Sequence, residues 1–245
     1  DKILMGVARK SRVISQEDKE MTAYHEAGHA LLHYYLENVD PLHKVTVIPR
    51  GRALGVSISL PEKDAYSRSK SWLLDRIKVA MGGYVAEKLV YNETSTGTKN
   101  DIQQATEIAH SMVCEWGMSE TIGPVAFGQE DEPIFLGKEI AQHKEYSDDT
   151  ARIIDEEVKQ ILIGCLQDTE KILSEHKDQL DLLASTLVRK ETLDDAEIRE
   201  LFGFEAVKSA EPDQVQNGPE VPGKGEEAEE ERDTGEEESP GNSEV

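Results

Sequence analysis

Two histidines four residues apart, with a glutamate directly after the first, can share one ion when the chain around them is helical. The histidines are His25 and His29, and the glutamate is Glu26. On an α-helix, residues four apart differ by about 40° around the axis and by about 6 Å along it, so both imidazoles can reach the same ion. The spacing therefore predicts a helix with a metal site on one face.

Zinc suits this pattern, because a catalytic zinc takes three protein ligands and leaves a position for water, whose pKa it lowers to about 7. Glu26 points to a neighbouring face of the helix and can take the proton of that water. The His-Glu-x-x-His arrangement is typical of zinc peptidases. The motif thus predicts peptide hydrolysis, with His25 and His29 as ligands and Glu26 as the general base. Ligands of this type would also accept cobalt or nickel.

Other interpretations of the motif remain open at this point. One is a pair of surface histidines on an amphipathic helix, in a helical interaction domain without metal. Another is an inactive scaffold that keeps a structural metal. The presence of Glu26 favours the enzyme, because loss of catalysis is usually marked by loss of the base or of a ligand.

The third ligand has to come from elsewhere in the chain. His33 continues the four-residue spacing, but it lies about 12 Å along the helix from His25, and a zinc–nitrogen bond is about 2 Å. No histidine follows His29 six residues later, as a longer zinc motif would require. Two carboxylates remain, Glu87 on a second predicted helix and Asp101 in the first turn of another, where the helix dipole favours the ionised form. The spacing slightly favours Asp101 and does not decide between them.

Apolar periodicity and capping signals predict a mainly helical chain with a small β hairpin or sheet. Ser15 and Asp18 form a capping box at the start of the first helix, and Thr98 and Thr192 are expected to cap two later helices. Adjacent glycines at 82–83 cost a helix about 1 kcal/mol each, which suggests that another backbone packs closely there. Helices are expected over about 16–36, 67–91, 98–116, 147–175, 177–188 and 194–202, and strands over 43–48 and 55–60.

Negative charge is concentrated at the carboxyl end of the sequence. Residues 209–245 contribute −11 to the net charge of −23, with thirteen acidic and two basic residues. This tail has no aromatic residue and cannot bury enough apolar surface to order itself, so we expect it to be disordered.

The acidic body argues against nucleic-acid binding. Apolar runs fall far short of the roughly 20 residues of a membrane span, and Cys114 and Cys165 are expected to be ordinary buried thiols.

Five motifs, taken in order, resemble the peptidase domain of the FtsH-type proteases, a family of membrane-anchored, ATP-dependent AAA zinc proteases. The resemblance covers about residues 1–204. The motifs occupy 22–30, 43–51, 82–83 with 86–87, 95–97 with 100–101, and 116–119 with 123–128.

The resemblance implies that Asp101, which follows a Ser-Thr-Gly turn, is the third zinc ligand, and that Glu87 has a supporting role behind the ligands. It also implies one zinc per chain and a zinc endopeptidase that hydrolyses unfolded or extended polypeptides. The strand expected at 55–60 would offer an edge with which such a substrate pairs through its main chain.

A division of the chain follows from the same resemblance. Residues 1–15 are expected to be a linker from a missing AAA ATPase domain, 16–204 the zinc metallopeptidase domain, and 205–245 the disordered acidic tail. The phosphate-binding pattern Gly-x-x-x-x-Gly-Lys-Ser/Thr is absent from the sequence, so ATP binding is expected only in the ATPase domain of a longer parent protein.

That parent is expected to be a homo-hexamer anchored in a bacterial inner membrane, or alternatively in an organelle inner membrane. This domain would face the cytoplasm and act on unfolded and membrane-protein substrates in protein quality control. The fragment itself is expected to be soluble.

Overall fold

The computed structural model describes residues 15–49, 55–60, 67–127 and 146–204 of the 245-residue chain. These ranges contain six α-helices, three short strands and one 3₁₀ turn, which confirms the expected mainly helical fold with a small β element. In chain order the elements are α1 (Gln16–Tyr35), β1 (Leu42–Thr46), β2 (Val56–Ser59), α2 (Lys70–Tyr91), the 3₁₀ turn (Thr96–Thr98), α3 (Lys99–Cys114), α4 (Asp148–Glu175), α5 (Lys177–Lys190), β3 (Thr192–Asp194) and α6 (Asp195–Phe202).

The first helix starts where its capping signal predicts. The backbone N–H of Asp18 donates to Ser15 Oγ at 3.0 Å, and the Ser15 hydroxyl donates to the Asp18 carboxylate at 2.7 Å. α2 begins slightly later than expected, because its N-cap is Ser69, whose hydroxyl accepts from the backbone N–H of Trp72.

Of the two other expected caps, Thr98 does occupy the N-cap position of α3 but makes no capping bond, and Thr192 is wrong. The side chain of Thr98 accepts no backbone hydrogen bond, and its hydroxyl instead donates to the carbonyl of Ser95 at 2.9 Å, because a 3₁₀ turn leads directly into α3. Thr192 lies in strand β3, and the N-cap of α6 is Asp194, which forms a capping box with Glu197. In both places an element too short to show a periodic pattern occupies residues that the sequence indicated as a loop.

β1 is the central strand of a three-stranded antiparallel sheet with the order β2-β1-β3. Val45 of β1 lies opposite Ser57 of β2 and opposite Leu193 of β3. The sequence does not predict β3, because three residues are too few to show alternation. β2 is therefore an edge strand, and its outer edge pairs with no other strand in the described part of the chain.

α1 and α2 meet in direct backbone contact at glycines. A Cβ atom on Gly28 would lie 2.3 Å from the carbonyl oxygen of Gly82, and one on Gly83 would lie 2.4 Å from the imidazole of His25. The close packing expected at 82–83 is therefore confirmed, and the partner is the helix that carries the histidine pair. The buried faces of α1 include the fully buried residues Ala23, Ala27, Ala30 and Leu31.

An apolar cluster holds α3 beside α2. It is built from buried residues of α2, α3 and α4, namely Leu73, Ile77, Ala80, Met81, Ala105, Ala109, Met112 and Cys165. Because this cluster fixes α3, the first turn of that helix comes to the face of α1 that carries His25 and His29. Both cysteines are buried and free, as expected.

The expected linker at 1–15 lies outside the described residues except for its last residue, and the expected tail at 205–245 lies wholly outside them. These two parts of the domain division stay predictions. In the ranges that are described, no helix combines the length and the apolar character that crossing a bilayer requires.

Candidate metal centre

Three side chains from two helices bring one atom each to a common point. His25 and His29 lie on α1, and Asp101 lies in the first turn of α3. Nε2 of His25 is 3.1 Å from Nε2 of His29 and 3.1 Å from Oδ2 of Asp101. Nε2 of His29 is 3.4 Å from the same oxygen. Across the described ranges, this is the one group of three or more His, Cys, Asp or Glu side chains close enough to share a metal ion.

The other nitrogen of each imidazole already has a partner. Nδ1 of His29 is 2.7 Å from the carbonyl oxygen of Val79, and Nδ1 of His25 is 2.8 Å from a carboxylate oxygen of Glu87. Both partners only accept, so each Nδ1 carries the hydrogen and donates it. In the neutral rings, both Nε2 atoms therefore present lone pairs towards Asp101.

This donor set fits a zinc ion. With both rings neutral, two nitrogen lone pairs and one carboxylate oxygen face one another. Oδ2 of Asp101 is buried and accepts no hydrogen bond from the described residues. A tetrahedral zinc with bonds of about 2.0–2.1 Å would set its ligand atoms about 3.4 Å apart, and the observed separations are 3.1, 3.1 and 3.4 Å. A cation at this point could bond to all three atoms and would give Oδ2 of Asp101 a partner.

The electrostatics of the cluster also favour a cation. Burial lowers the pKa of His25, but the carboxylates of Asp101 and Glu87 outweigh this effect and raise that pKa to about 10. Burial raises the pKa of Asp101, but the two imidazoles outweigh it and hold that pKa well below its ordinary value. Asp101 is therefore ionised at neutral pH, and a metal that binds here has to displace a proton from His25.

Glu87, the other carboxylate that the sequence offers as a ligand, lies behind His25 and outside the three-atom cluster. It is 1% exposed, and its oxygens accept from the backbone N–H of Ser95 at 2.5 Å and from the Ser95 hydroxyl at 3.0 Å. Burial raises the pKa of Glu87, but His25 and Ser95 outweigh it and lower that pKa, so the carboxylate stays an acceptor. Glu87 thereby connects α1 to the turn that leads into α3 and Asp101.

Glu26 lies beside the cluster without belonging to it. Its side chain is buried, and Oε2 accepts the hydrogen of the Ser57 hydroxyl at 2.8 Å. Burial raises the pKa of Glu26, and the imidazoles of His29 and His25 offset this effect only in part. A carboxylate with a raised pKa is a stronger proton acceptor when it is ionised.

His33 takes no part in the cluster, in agreement with the distance argument from the sequence. Its Nδ1 donates to the carbonyl oxygen of Asp40 at 2.8 Å. Burial lowers the pKa of His33 to about 4 despite this hydrogen bond. His33 is thus a neutral packing histidine on the wall of the same cavity.

The cluster opens into a cavity of about 850 Å³. Its walls include the three converging side chains, Glu26 and residues 55–59, which comprise β2 and the glycine before it. A cavity of this size, bordered by an edge strand, can hold several residues of an extended peptide.

Sequence reasoning missed three contributors to this site. They are the carbonyl group of Val79, the hydroxyl of Ser57 and the main-chain and side-chain donors of Ser95. A backbone carbonyl leaves no signal in a sequence. Ser95 does stand in a recognised motif, and only the fold reveals that it bonds to Glu87.

A helical His-Glu-x-x-His motif, an aspartate from a second helix and a cavity beside a buried glutamate form the arrangement that metal-dependent peptidases use. The family model described as peptidase family M41 matches residues 12–201. The chain belongs to this family, which confirms the resemblance seen in the sequence.

Similar curated proteins carry the name ATP-dependent zinc metalloprotease FtsH. The one from Borreliella burgdorferi is 57% identical over 208 residues, which cover 85% of this chain and 33% of that protein. The one from Myxococcus xanthus is 47% identical over 220 residues, or 89% and 34% of the two chains. The one from Thermotoga maritima is 43% identical over 212 residues, or 86% and 35%. The chain spans about a third of the length of the curated relatives it matches.

Proposed function

We propose that this chain is a zinc-dependent endopeptidase that hydrolyses unfolded or extended polypeptides. The observation that carries the proposal is the convergence of the Nε2 atoms of His25 and His29 and one carboxylate oxygen of Asp101, at separations of 3.1–3.4 Å, on the wall of a cavity. Membership of peptidase family M41 and the name shared by the relatives support it.

In this proposal His25, His29 and Asp101 hold one zinc ion per chain. Bound zinc supplies a Lewis acid that polarises the scissile carbonyl and lowers the pKa of water. Glu26 takes a proton from the attacking water and passes it to the leaving amine nitrogen, while the water oxygen becomes part of the new carboxylate. Glu87 holds the Nδ1 hydrogen of His25, which keeps the Nε2 lone pair of that ring turned towards the metal.

The substrate is proposed to bind as an extended chain along the outer edge of β2. An edge strand offers main-chain donors and acceptors at regular spacing, so pairing with it requires an unfolded segment and reads little side-chain sequence. The position of β2 at the edge of its sheet and along the cavity wall supports this arrangement.

The whole protein is proposed to be a longer, membrane-anchored and ATP-dependent protease. Residues 1–15 would be the linker from an AAA ATPase domain that binds ATP, 16–204 the peptidase domain and 205–245 an acidic tail. Six copies would form a homo-hexamer, with this domain facing the cytoplasm, that degrades unfolded and membrane proteins in quality control. The relatives' name and the third of their length that this chain spans support the proposal.

Metal analysis of the purified chain, combined with digestion of unfolded casein, tests the proposed function. We expect about one zinc per chain and casein hydrolysis that stops when a chelator removes the metal. Glu26→Gln should abolish hydrolysis and leave the zinc content near one per chain, because Glu26 is not a ligand. Hydrolysis retained by the zinc-loaded variant would show that Glu26 is not the general base. Zinc without hydrolysis in the unaltered chain would indicate a scaffold with a structural metal, and the lack of both would indicate a metal-free interaction domain.

A further inference from the structure

The hydroxyl of Ser57 is bonded to the proposed base from the edge strand. Ser57 Oγ is 2.8 Å from Oε2 of Glu26 and 3.2 Å from the backbone carbonyl oxygen of the same residue. In the described part of the chain, no other side chain donates a hydrogen bond to the Glu26 carboxylate. Ser57 therefore connects β2 to α1 at the point where the proposed proton transfer takes place.

The face of β2 that contacts Glu26 leaves the Glu26 side chain little freedom. A Cβ atom on Gly55 would lie 2.6 Å from both Cγ and Oε1 of Glu26. Gly55 and Ser57 are two residues apart, so they share one face of the strand. The Glu26 side chain is thus confined between the bare backbone of Gly55 and the hydroxyl of Ser57.

The same hydrogen bond defines how β2 is aligned along α1. A slip of one residue would bring Val56 or Ile58 to the place of Ser57, and neither side chain has a donor for Glu26. Residues 55–59, which include β2, line the cavity that holds the cluster. A polypeptide paired with that edge is therefore aligned with the base through Ser57.

We infer that Ser57 is a positioning residue for peptide hydrolysis, which orients the Glu26 carboxylate and aligns the edge strand, together with the extended substrate, with the metal-ligand cluster. This assignment extends the proposed function and depends on it. It predicts that loss of the hydroxyl lowers the rate of the chemical step more than it weakens substrate binding, because the misplaced group is the base.

A kinetic comparison tests this role in the full zinc-loaded chain, with an unfolded peptide as substrate. Ser57→Ala should lower kcat about tenfold or more and change KM by less than about threefold, because a base displaced by even 1 Å loses much of its effect. Ser57→Thr should keep at least about a third of kcat, because threonine supplies the same donor. Ser185→Ala removes an exposed hydroxyl from α5 and serves as the matched control. Zinc content should stay near one per chain in all variants.

A double-mutant cycle on the metal-free chain provides a readout that does not depend on activity. Ser57→Ala should lower the Tm by about 3 °C or more, because it leaves the buried Glu26 carboxylate without its donor. In a Glu26→Ala background the same substitution should lower the Tm by less than half as much, because the carboxylate is already gone.

These measurements separate failure of the inference from failure of the proposed function. If the unaltered chain digests casein, then an unchanged kcat in Ser57→Ala overturns the inference alone. Equal Tm shifts of Ser57→Ala in the two backgrounds also overturn it. If the unaltered zinc-loaded chain fails to digest casein, the proposed function falls, and the positioning role falls with it.

Discussion

Replacing Gly28 by alanine should push the two central helices apart. A Cβ atom at this position would lie 2.3 Å from the carbonyl oxygen of Gly82 and 2.8 Å from the Cβ of Ala86. An ordinary carbon–oxygen contact is about 3.2 Å or longer, so α1 and α2 have to separate by about 1 Å. Neither helix can avoid the clash by rotating a side chain, because the nearest atom belongs to the backbone.

The clash lowers the free energy of unfolding, and the higher helix propensity of alanine offsets part of that loss. Overpacking of a rigid contact costs about 1–3 kcal/mol, and a clash with backbone belongs at the upper end of that range. Alanine recovers about 1 kcal/mol of helix propensity relative to glycine. The net destabilisation of Gly28→Ala is therefore about 2 kcal/mol, which corresponds to a Tm lower by about 4–8 °C in a domain of this size.

The metal centre should respond as well, because both histidines are held from α2. His29 donates to the carbonyl of Val79 at 2.7 Å, and His25 donates to Glu87 at 2.8 Å. A separation of about 1 Å stretches both hydrogen bonds beyond their useful range. Loss of such supporting contacts usually weakens metal binding by about 10–100-fold.

Gly164→Ala is the matched control, because this helical glycine of α4 has no atom within 4 Å of the position of an added Cβ. The substitution gains the same propensity without the clash, so the Tm should rise by about 2–4 °C with unchanged zinc affinity. Thermal unfolding of the metal-free chains and competition with a zinc-binding dye measure both effects. A Gly28→Ala chain with unaltered Tm and zinc affinity would refute the role of this contact.

Three further predictions concern the ligands, pH and the substrate. Asp101→Ala should lose zinc, while Glu87→Ala should retain most of it. Metal analysis of the dialysed variants measures both effects. The reverse result would mean that the third ligand is misassigned. His33 has a pKa of about 4 in the fold against 6.5 when unperturbed. Above pH 6.5 the ring is neutral in both the folded and the unfolded chain, so it costs no stability. As the pH falls from 6.5 to 4, the unfolded chain binds the proton first, and the free energy of unfolding drops by up to about 3 kcal/mol. Urea titrations at pH 7 and 4.5 should therefore show a smaller acid loss for His33→Asn, and equal losses would contradict the assignment. Unfolded casein should be cut without ATP while a stably folded protein is spared, because opening a domain costs about 5–15 kcal/mol; rapid digestion of the folded protein would argue against a passive site.

The histidine helix and the two candidate carboxylates are predictable because each is encoded locally. The spacing of His25 and His29 already implies a helix, and the position of Asp101 near a helix start follows from local signals. The choice between Asp101 and Glu87 depends on how α2 and α3 pack against α1. That packing is set by an apolar cluster spread over three helices, which spacing alone cannot reveal.

The details that the sequence does not predict are short or lie in the backbone. β3 has three residues, and the 3₁₀ turn before α3 also has three, so neither shows a period. The contact between Gly28 and Gly82 joins two glycines that lie far apart in the sequence, and no local pattern links them. The glycine pair at 82–83 does predict a close neighbour, but nothing in its own sequence identifies α1 as that neighbour.

The pairing of β1 with β3 has a consequence for the order in which the chain matures during synthesis. Val45 pairs with Leu193, and α1 packs against both α2 and the much later α5. At about 5–20 residues per second, the roughly 150 residues between these strand partners take about 7–30 s to translate. All three candidate ligands have left the ribosome well before α5 and β3 follow. The histidine helix is therefore made long before α5, which packs against it. A ribosome stalled after α4 would leave the apolar side that α5 covers exposed to chaperones.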